Sequence, residues 1–172
     1  MDNGIEILKD CKGNSIVKIN NFIFKGKQNI DWKAVEAYLQ RYVGKIVDVS
    51  LERINIEGEF PNEYTGSVYT KKLRGGLAKA KATAAQGIIE LLKVAVLKNT
   101  MENKKNKHKK RAKYGWKYYE TRFALPVYDE QTKQISYNVY RATLVIALSI
   151  DGRMYLYDMM EIKKETSKPL ST

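Results

Sequence analysis

The chain has 172 residues, 44% of them hydrophobic and 10% aromatic, which suits one domain with its own core and excludes a disordered tail. Its 31 Lys/Arg against 19 Asp/Glu give a net charge of +12, and such an excess favours a polyanionic partner, nucleic acid first. One cysteine, Cys11, excludes an internal disulfide, and no Cys/His cluster has zinc-ligand spacing, so no metal or other cofactor is expected.

The N-terminal MDNGIEILKDCKGN has no apolar leader, and residues 1–14 are expected to be flexible. No run approaches the ~18 apolar residues of a membrane span. The expectation is therefore a chain that acts in the cytoplasm, its own or that of a target cell, without membrane contact. Ser15 to Phe24, SIVKINNFIF, holds two short β-prone runs and suits a first strand or hairpin. In Asp31 to Val43, DWKAVEAYLQRYV, the residues Trp32, Val35, Leu39 and Tyr42 recur on one helical face. Asp31 suits the start of that helix and Gly44 its stop. Ile46 to Ile56 alternates as a strand through Val47, Val49 and Leu51, and its phase shifts before Ile54, which predicts a bulge or a strand end.

The polar, aromatic-spotted stretch 57–76 is long for a structureless loop, so it is expected to pack or to bind something. Leu77 to Lys98 reads as one long helix with the apolar stripe Leu77, Ala84, Ile88, Leu91 and Ala95, weakened by about 1 kcal/mol at Gly87. A basic run follows. Asn99 to Lys117 carries eight Lys/Arg and a single acid, Glu102, a local charge of +7. The last third reads as a meander of three strands, Trp116–Tyr128, Ile135–Ile150 and Arg153–Ile162, with a hairpin turn at Asp151-Gly152. Residues 164–172 are expected to fray. The fold class that follows is α+β, one domain over 1–172, with helices packed on one face of a curved antiparallel sheet whose C-terminal part is the three-stranded meander.

No phosphate-binding glycine loop, HExxH helix or GxSxG elbow is present. What remains is the only histidine, His108, among Lys104, Lys105, Lys107, Lys109, Lys110, Arg111 and Lys113. These cations suit contact with a nucleic-acid backbone. His108 is the natural proton-transfer group, and the like charges of Lys107, Lys109 and Lys110 are expected to lower its pKa. The same residues also fit a solvated basic loop. Period two places Tyr118, Glu120 and Arg122 on one face of the first meander strand, and Tyr137, Arg141 and Thr143 on one face of the second. Arg141 needs a partner, and Glu120 is the candidate, either as a structural ion pair or as part of a site. On the third strand Tyr155, Tyr157 and Met159 are expected on one side, with Leu156 and Asp158 on the other.

Four stretches, FPNEYTGSVYT, KHKKRAKYGWKYYETRFALPV, YNVYRATLVI and DGRMYLYDMMEIKKET, together resemble a domain of the large polyvalent proteins of phages and integrative conjugative elements, mostly of Firmicutes. The resemblance covers about residues 57–168. Domains of that kind are similar to the small RNase superfamily that includes barnase, EndoU, colicin-type tRNases and RelE-type toxins. That resemblance implies helices followed by an antiparallel sheet, and RNA cleavage by 2'-hydroxyl attack without a metal. Carried onto this chain, it implies the pair Lys107-His108, the sheet arginines Arg122 and Arg141 and the hydroxyl of Thr143 as site residues. In the catalytic reading built on it, His108 transfers a proton, Lys107, Arg122 and Arg141 bind and stabilise the phosphate, Glu120 is a base or an orienter of arginine, and Thr143 and Tyr118 supply hydrogen bonds. The resemblance further implies RNA, tRNA among the candidates, as substrate, and an acidic immunity protein as partner of a toxin. The other readings are a nucleic-acid-binding module without catalysis, and a protein-interaction domain that uses residues 57–76.

Overall fold

The structure is a computed structural model that describes residues 4–24, 29–101 and 112–168, the last three as backbone alone. Its elements run β1 (Ile5–Lys9), β2 (Ser15–Ile19), α1 (Trp32–Leu39), β3 (Ile46–Val49), β4 (Glu52–Asn55), α2 (Phe60–Gly66), α3 (Val68–Lys72), α4 (Gly75–Ala84), α5 (Ile88–Lys93), β5 (Val96–Met101), β6 (Trp116–Tyr128), β7 (Ile135–Leu148) and β8 (Met154–Lys168). This is an α+β fold. One curled sheet takes the order β1-β2-β6-β7-β8-β4-β3, and β5 pairs with β6 beside it.

The meander β6-β7-β8 is antiparallel throughout, as the sequence predicts. The outer hairpins join it differently. β2 runs parallel to β6 at Val17↔Phe123, and β4 runs parallel to β8 at Ile54↔Met154, so the sheet is mixed. Residues 5–9, expected to be flexible, form β1 because alternate apolar positions pair it with β2 from Ile5↔Ile19 to Lys9↔Ser15. The turn between them is held by Asp10, whose Oδ1 accepts from the backbone of Lys12 and Asn14. Residues 164–168, also expected to fray, extend β8 alongside β7.

The helices lie on one face of the sheet. Asp31 caps α1 by accepting from the Ala34 amide, and Val35 and Leu39 are buried on its inner side. Ile46 to Ile56 is a hairpin and not one bulged strand: Ser50 takes a φ of 56° and Leu51 stands fully exposed at the tip. No Asn-Gly pair marks that turn, so the phase shift was its only sign. The stretch 57–76 packs. It folds into α2 and α3, which bury Phe60, Tyr64 and Thr70, with Ser67 capping α3 through the Thr70 amide.

The long helix predicted over Leu77 to Lys98 is broken in two. Residues 85–87 form a 3-10 turn between α4 and α5, and the chain then leaves as β5. Gly87 is pressed onto the sheet there; a Cβ at that position would sit 3.3 Å from Ile19 Cδ1. Val94 and Val96 favour the extended exit. The core lies between the layers, with Val17, Ile19, Phe123, Leu144 and Met159 from the sheet meeting Leu39, Tyr64, Ile88 and Leu91 from the helices.

Candidate functional site

Along β6 the odd positions Tyr119, Thr121 and Phe123 are buried toward the helices. Tyr118, Glu120 and Arg122 therefore project from the opposite face. The register with β7 sets Arg122 against Arg141, Glu120 against Thr143 and Tyr118 against Val145. Five side chains expected from sequence, Tyr118, Glu120, Arg122, Arg141 and Thr143, thus share one face of two adjacent strands.

Arg141 Nε lies 2.7 Å from Glu120 Oε1, the pair that the sequence suggests. Two further carboxylates complete a network that sequence reasoning missed. Glu165 meets Arg141 Nε at 3.0 Å and holds Arg122 through both oxygens, at 3.2 and 2.9 Å. Asp10 Oδ2 accepts from Arg122 at 2.8 Å. Glu165 reaches this face because β8 bulges there: the register with β7 jumps from Val139↔Thr166 to Tyr140↔Lys164. The Arg122 hydrogen bond is the main cause that lowers the Asp10 carboxyl from 3.8 to about 2. Burial alone would raise Glu165, but its hydrogen bonds from Arg122 and then Arg141 outweigh that and lower it. Both missed residues lie in segments that the sequence marks as frayed, so no periodic signal singled them out.

Beside this network an open cleft of about 210 Å³ is lined by Lys98, Asn99, Met101, Tyr118, Thr143, Val145, Met160 and Glu161. Its walls are β5 and a second bulge of β8, where the register jumps from Arg141↔Lys163 to Thr143↔Met160. Glu161 occupies that bulge with a φ of 51°. The Thr143 hydroxyl donates to Glu161 Oε2 at 3.2 Å, and Lys98 Nζ is 3.8 Å from the same oxygen. Desolvation, and then the Glu161 charge, raise the Tyr118 hydroxyl above its ordinary range.

His108, Lys104, Lys105, Lys107, Lys109, Lys110 and Arg111 lie outside the described residues. Their flanks are placed. Met101, on the cleft, pairs with Trp116 at the start of β6, and Lys113 is exposed in the turn before that strand.

The helical layer hides a second charged group. Lys81 is fully buried on α4, with its Nζ 2.6 Å from Asp158 Oδ1 and 2.5 Å from Thr70 Oγ1. The rings of Tyr64 and Tyr69 lie 4.6 and 5.2 Å from the ammonium. Desolvation lowers Lys81 and raises Asp158, and their mutual attraction opposes both shifts. A third bulge explains why Asp158 points here. The register jumps from Val145↔Asp158 to Ile146↔Leu156, which breaks period two. Met159 is consequently in the core with Leu156 and does not share a side with Tyr155 and Tyr157 as expected.

Among the described residues no group of three or more His, Cys, Asp or Glu is arranged to hold a metal ion, and no helix is long and apolar enough to cross a membrane. Comparison with protein-family profiles, with curated proteins and with solved structures finds no match. The fold and the site therefore define an α+β domain that carries an ion-paired, cleft-flanked sheet face opposite its helices.

Proposed function

We propose that this face binds single-stranded RNA and cleaves it without a metal, by attack of a ribose 2'-hydroxyl on the adjacent phosphate, as a toxin or effector domain of a mobile genetic element. The observation that carries this reading is the convergence of Glu120, Arg122, Arg141, Thr143 and Tyr118 on one sheet face beside an open cleft. A phosphate arriving there competes with the carboxylates for the two guanidinium groups. Arg141 is the more available, since its side chain is 55% exposed against 21% for Arg122. As Arg141 turns to the phosphate, Glu120 is released to accept the 2'-hydroxyl proton. The guanidinium charges then stabilise the phosphorane. His108 protonates the departing 5'-oxygen, and the lysines around it hold the strand. An acidic immunity protein would compete for the same surface.

A specific observation favours a second reading, binding without cleavage. Asp10, Glu120 and Glu165 already occupy both arginines. One experiment separates the two. Purified protein is incubated with total RNA in EDTA, beside His108→Ala and Arg141→Ala. Fragments from the wild type alone support the enzyme. Salt-sensitive retention of intact RNA by all three supports the binding module. Absence of both cleavage and retention removes RNA as the ligand and leaves the protein-interaction reading.

A further inference from the structure

We propose that the cleft between β5 and the Glu161 bulge is the pocket for one unstacked RNA base, and that Glu161 selects that base by its hydrogen-bond donors, with guanine favoured. The inference rests on the nucleic-acid reading above and adds a site and a selectivity to it. The space has room for a single heterocycle. Tyr118 supplies an aromatic wall, while Met101, Val145 and Met160 supply the apolar remainder, of which the methionines adapt readily in shape. Unstacked bases in single-stranded RNA settle on such rings and are read at their edges.

The edge reader is Glu161. A carboxylate only accepts hydrogen bonds. Thr143 and Lys98 both meet its Oε2, and Oε1 takes no hydrogen bond among the described residues. Guanine presents two neighbouring donors, N1–H and N2–H, to such an acceptor. Uracil presents one donor between two carbonyl oxygens, which a carboxylate repels. Lys98 and Asn99, which also line the cleft, are donors suited to the guanine O6.

The aim of Glu161 is held from behind. Its left-handed backbone is unfavourable for a residue with a Cβ. The bulge is secured by the helical layer, where the Tyr69 hydroxyl accepts from the Ile162 amide at 2.8 Å. A strained bulge that turns a charged side chain into a cleft, with its freed amide capped by another element, is a built feature of the sheet.

The test uses the full chain and 2'-O-methyl tetranucleotides, which cannot be cleaved by 2'-hydroxyl attack, with one variable base in a constant background. Calorimetry at low salt is expected to rank guanine at least about tenfold tighter than uracil, the size of one good bidentate contact. Glu161→Gln, which replaces one acceptor by a donor, is expected to level the ranking. Glu161→Asn, better tolerated at a left-handed position, gives the same answer if the glutamine variant is not folded by circular dichroism. Tyr118→Ala is expected to weaken all four oligonucleotides by about tenfold or more. Equal affinities for the four bases in the wild type, or a ranking unmoved by Glu161→Gln, overturn the inference and leave RNA binding standing. No binding of any tetranucleotide at low salt overturns both.

Discussion

Glu120 and Arg141 meet at 2.7 Å across a diagonal of the β6–β7 ladder, for the residue directly opposite Glu120 is Thr143 and the one opposite Arg141 is Arg122. Diagonal pairing lets Arg141 Nε meet Glu120 and Glu165 at once, and its half-exposed side chain keeps both contacts weak. Arg141→Ala is therefore expected to lower stability by under about 1 kcal/mol in urea unfolding. Arg122 holds Glu165 through a two-point contact and is more enclosed. Arg122→Ala is expected to cost more, about 1–2 kcal/mol after allowance for solvent screening. An equal, negligible effect of the two substitutions would show that the network adds nothing to the fold.

The carboxylates of this network set an acid limit. Asp10 titrates at about 2 in place of its ordinary 3.8, and Glu165 is also lowered. A carboxylate whose folded pKa is depressed stabilises the fold fully above its unfolded pKa and loses that contribution as the pH falls through the folded one. Stability is thus expected to drop between about pH 4 and pH 2. Thermal unfolding followed by circular dichroism across that window checks this. In Asp10→Asn and Glu165→Gln the same pH step is expected to be smaller, and an unchanged step in both would contradict the assignment.

Lys81 and Asp158 respond differently because both are buried. Removing one charge strands the other in a low-dielectric core, which costs about 3–5 kcal/mol. Lys81→Met alone and Asp158→Leu alone are expected to fall in that range in denaturant unfolding. The double variant is expected to recover most of the loss, since an apolar pair of similar volume replaces the ion pair without a desolvation cost. A double variant as unstable as the sum of the singles would mean that the two residues do not act as one unit. RNA retention by the folded double variant is expected to stay near wild type, as the pair faces the helices and not the cleft.

Where one period governed a whole strand, the sequence was readable. The faces of β6 and β7 follow from the unbroken alternation across Trp116–Tyr128 and Ile135–Leu148, whereas the meeting of Glu120 with Arg141 also needed the register, which sets Thr143 opposite Glu120 and Arg122 opposite Arg141. β8 was not readable in this way, because three bulges each displace the register by one residue. Those bulges turn Asp158 inward, tilt Glu161 into the cleft and bring Glu165 onto the arginines. No local residue marks them; Glu161 even takes a left-handed backbone that composition would assign to glycine or asparagine. The break between α4 and α5 had a weak sign in Gly87, whose meaning lay in the approach of Ile19, remote in sequence. Lys81 reads as an ordinary surface lysine until Asp158, far along the chain, is placed beside it.

Glu161 gives the most direct measure of what that backbone costs. A left-handed residue with a Cβ is disfavoured by roughly 1–2 kcal/mol, whereas glycine adopts the same φ at no steric penalty. Glu161 contributes only partly exposed contacts, to Thr143 and Lys98. Glu161→Gly is therefore expected to leave stability unchanged or raise it by about 1 kcal/mol, after the added chain entropy of glycine is set against the relieved strain. Tyr69→Phe acts on the same bulge with the opposite sign. It removes the acceptor of the Ile162 amide, and an uncapped amide in that part-buried place costs about 1–2 kcal/mol. Amide hydrogen exchange at Ile162 is the local readout. It is expected to speed up in Tyr69→Phe and to stay slow in Glu161→Gly, because the glycine keeps both the bulge and its cap. Fast exchange at Ile162 in the wild-type protein would show that the tyrosine does not hold the bulge at all.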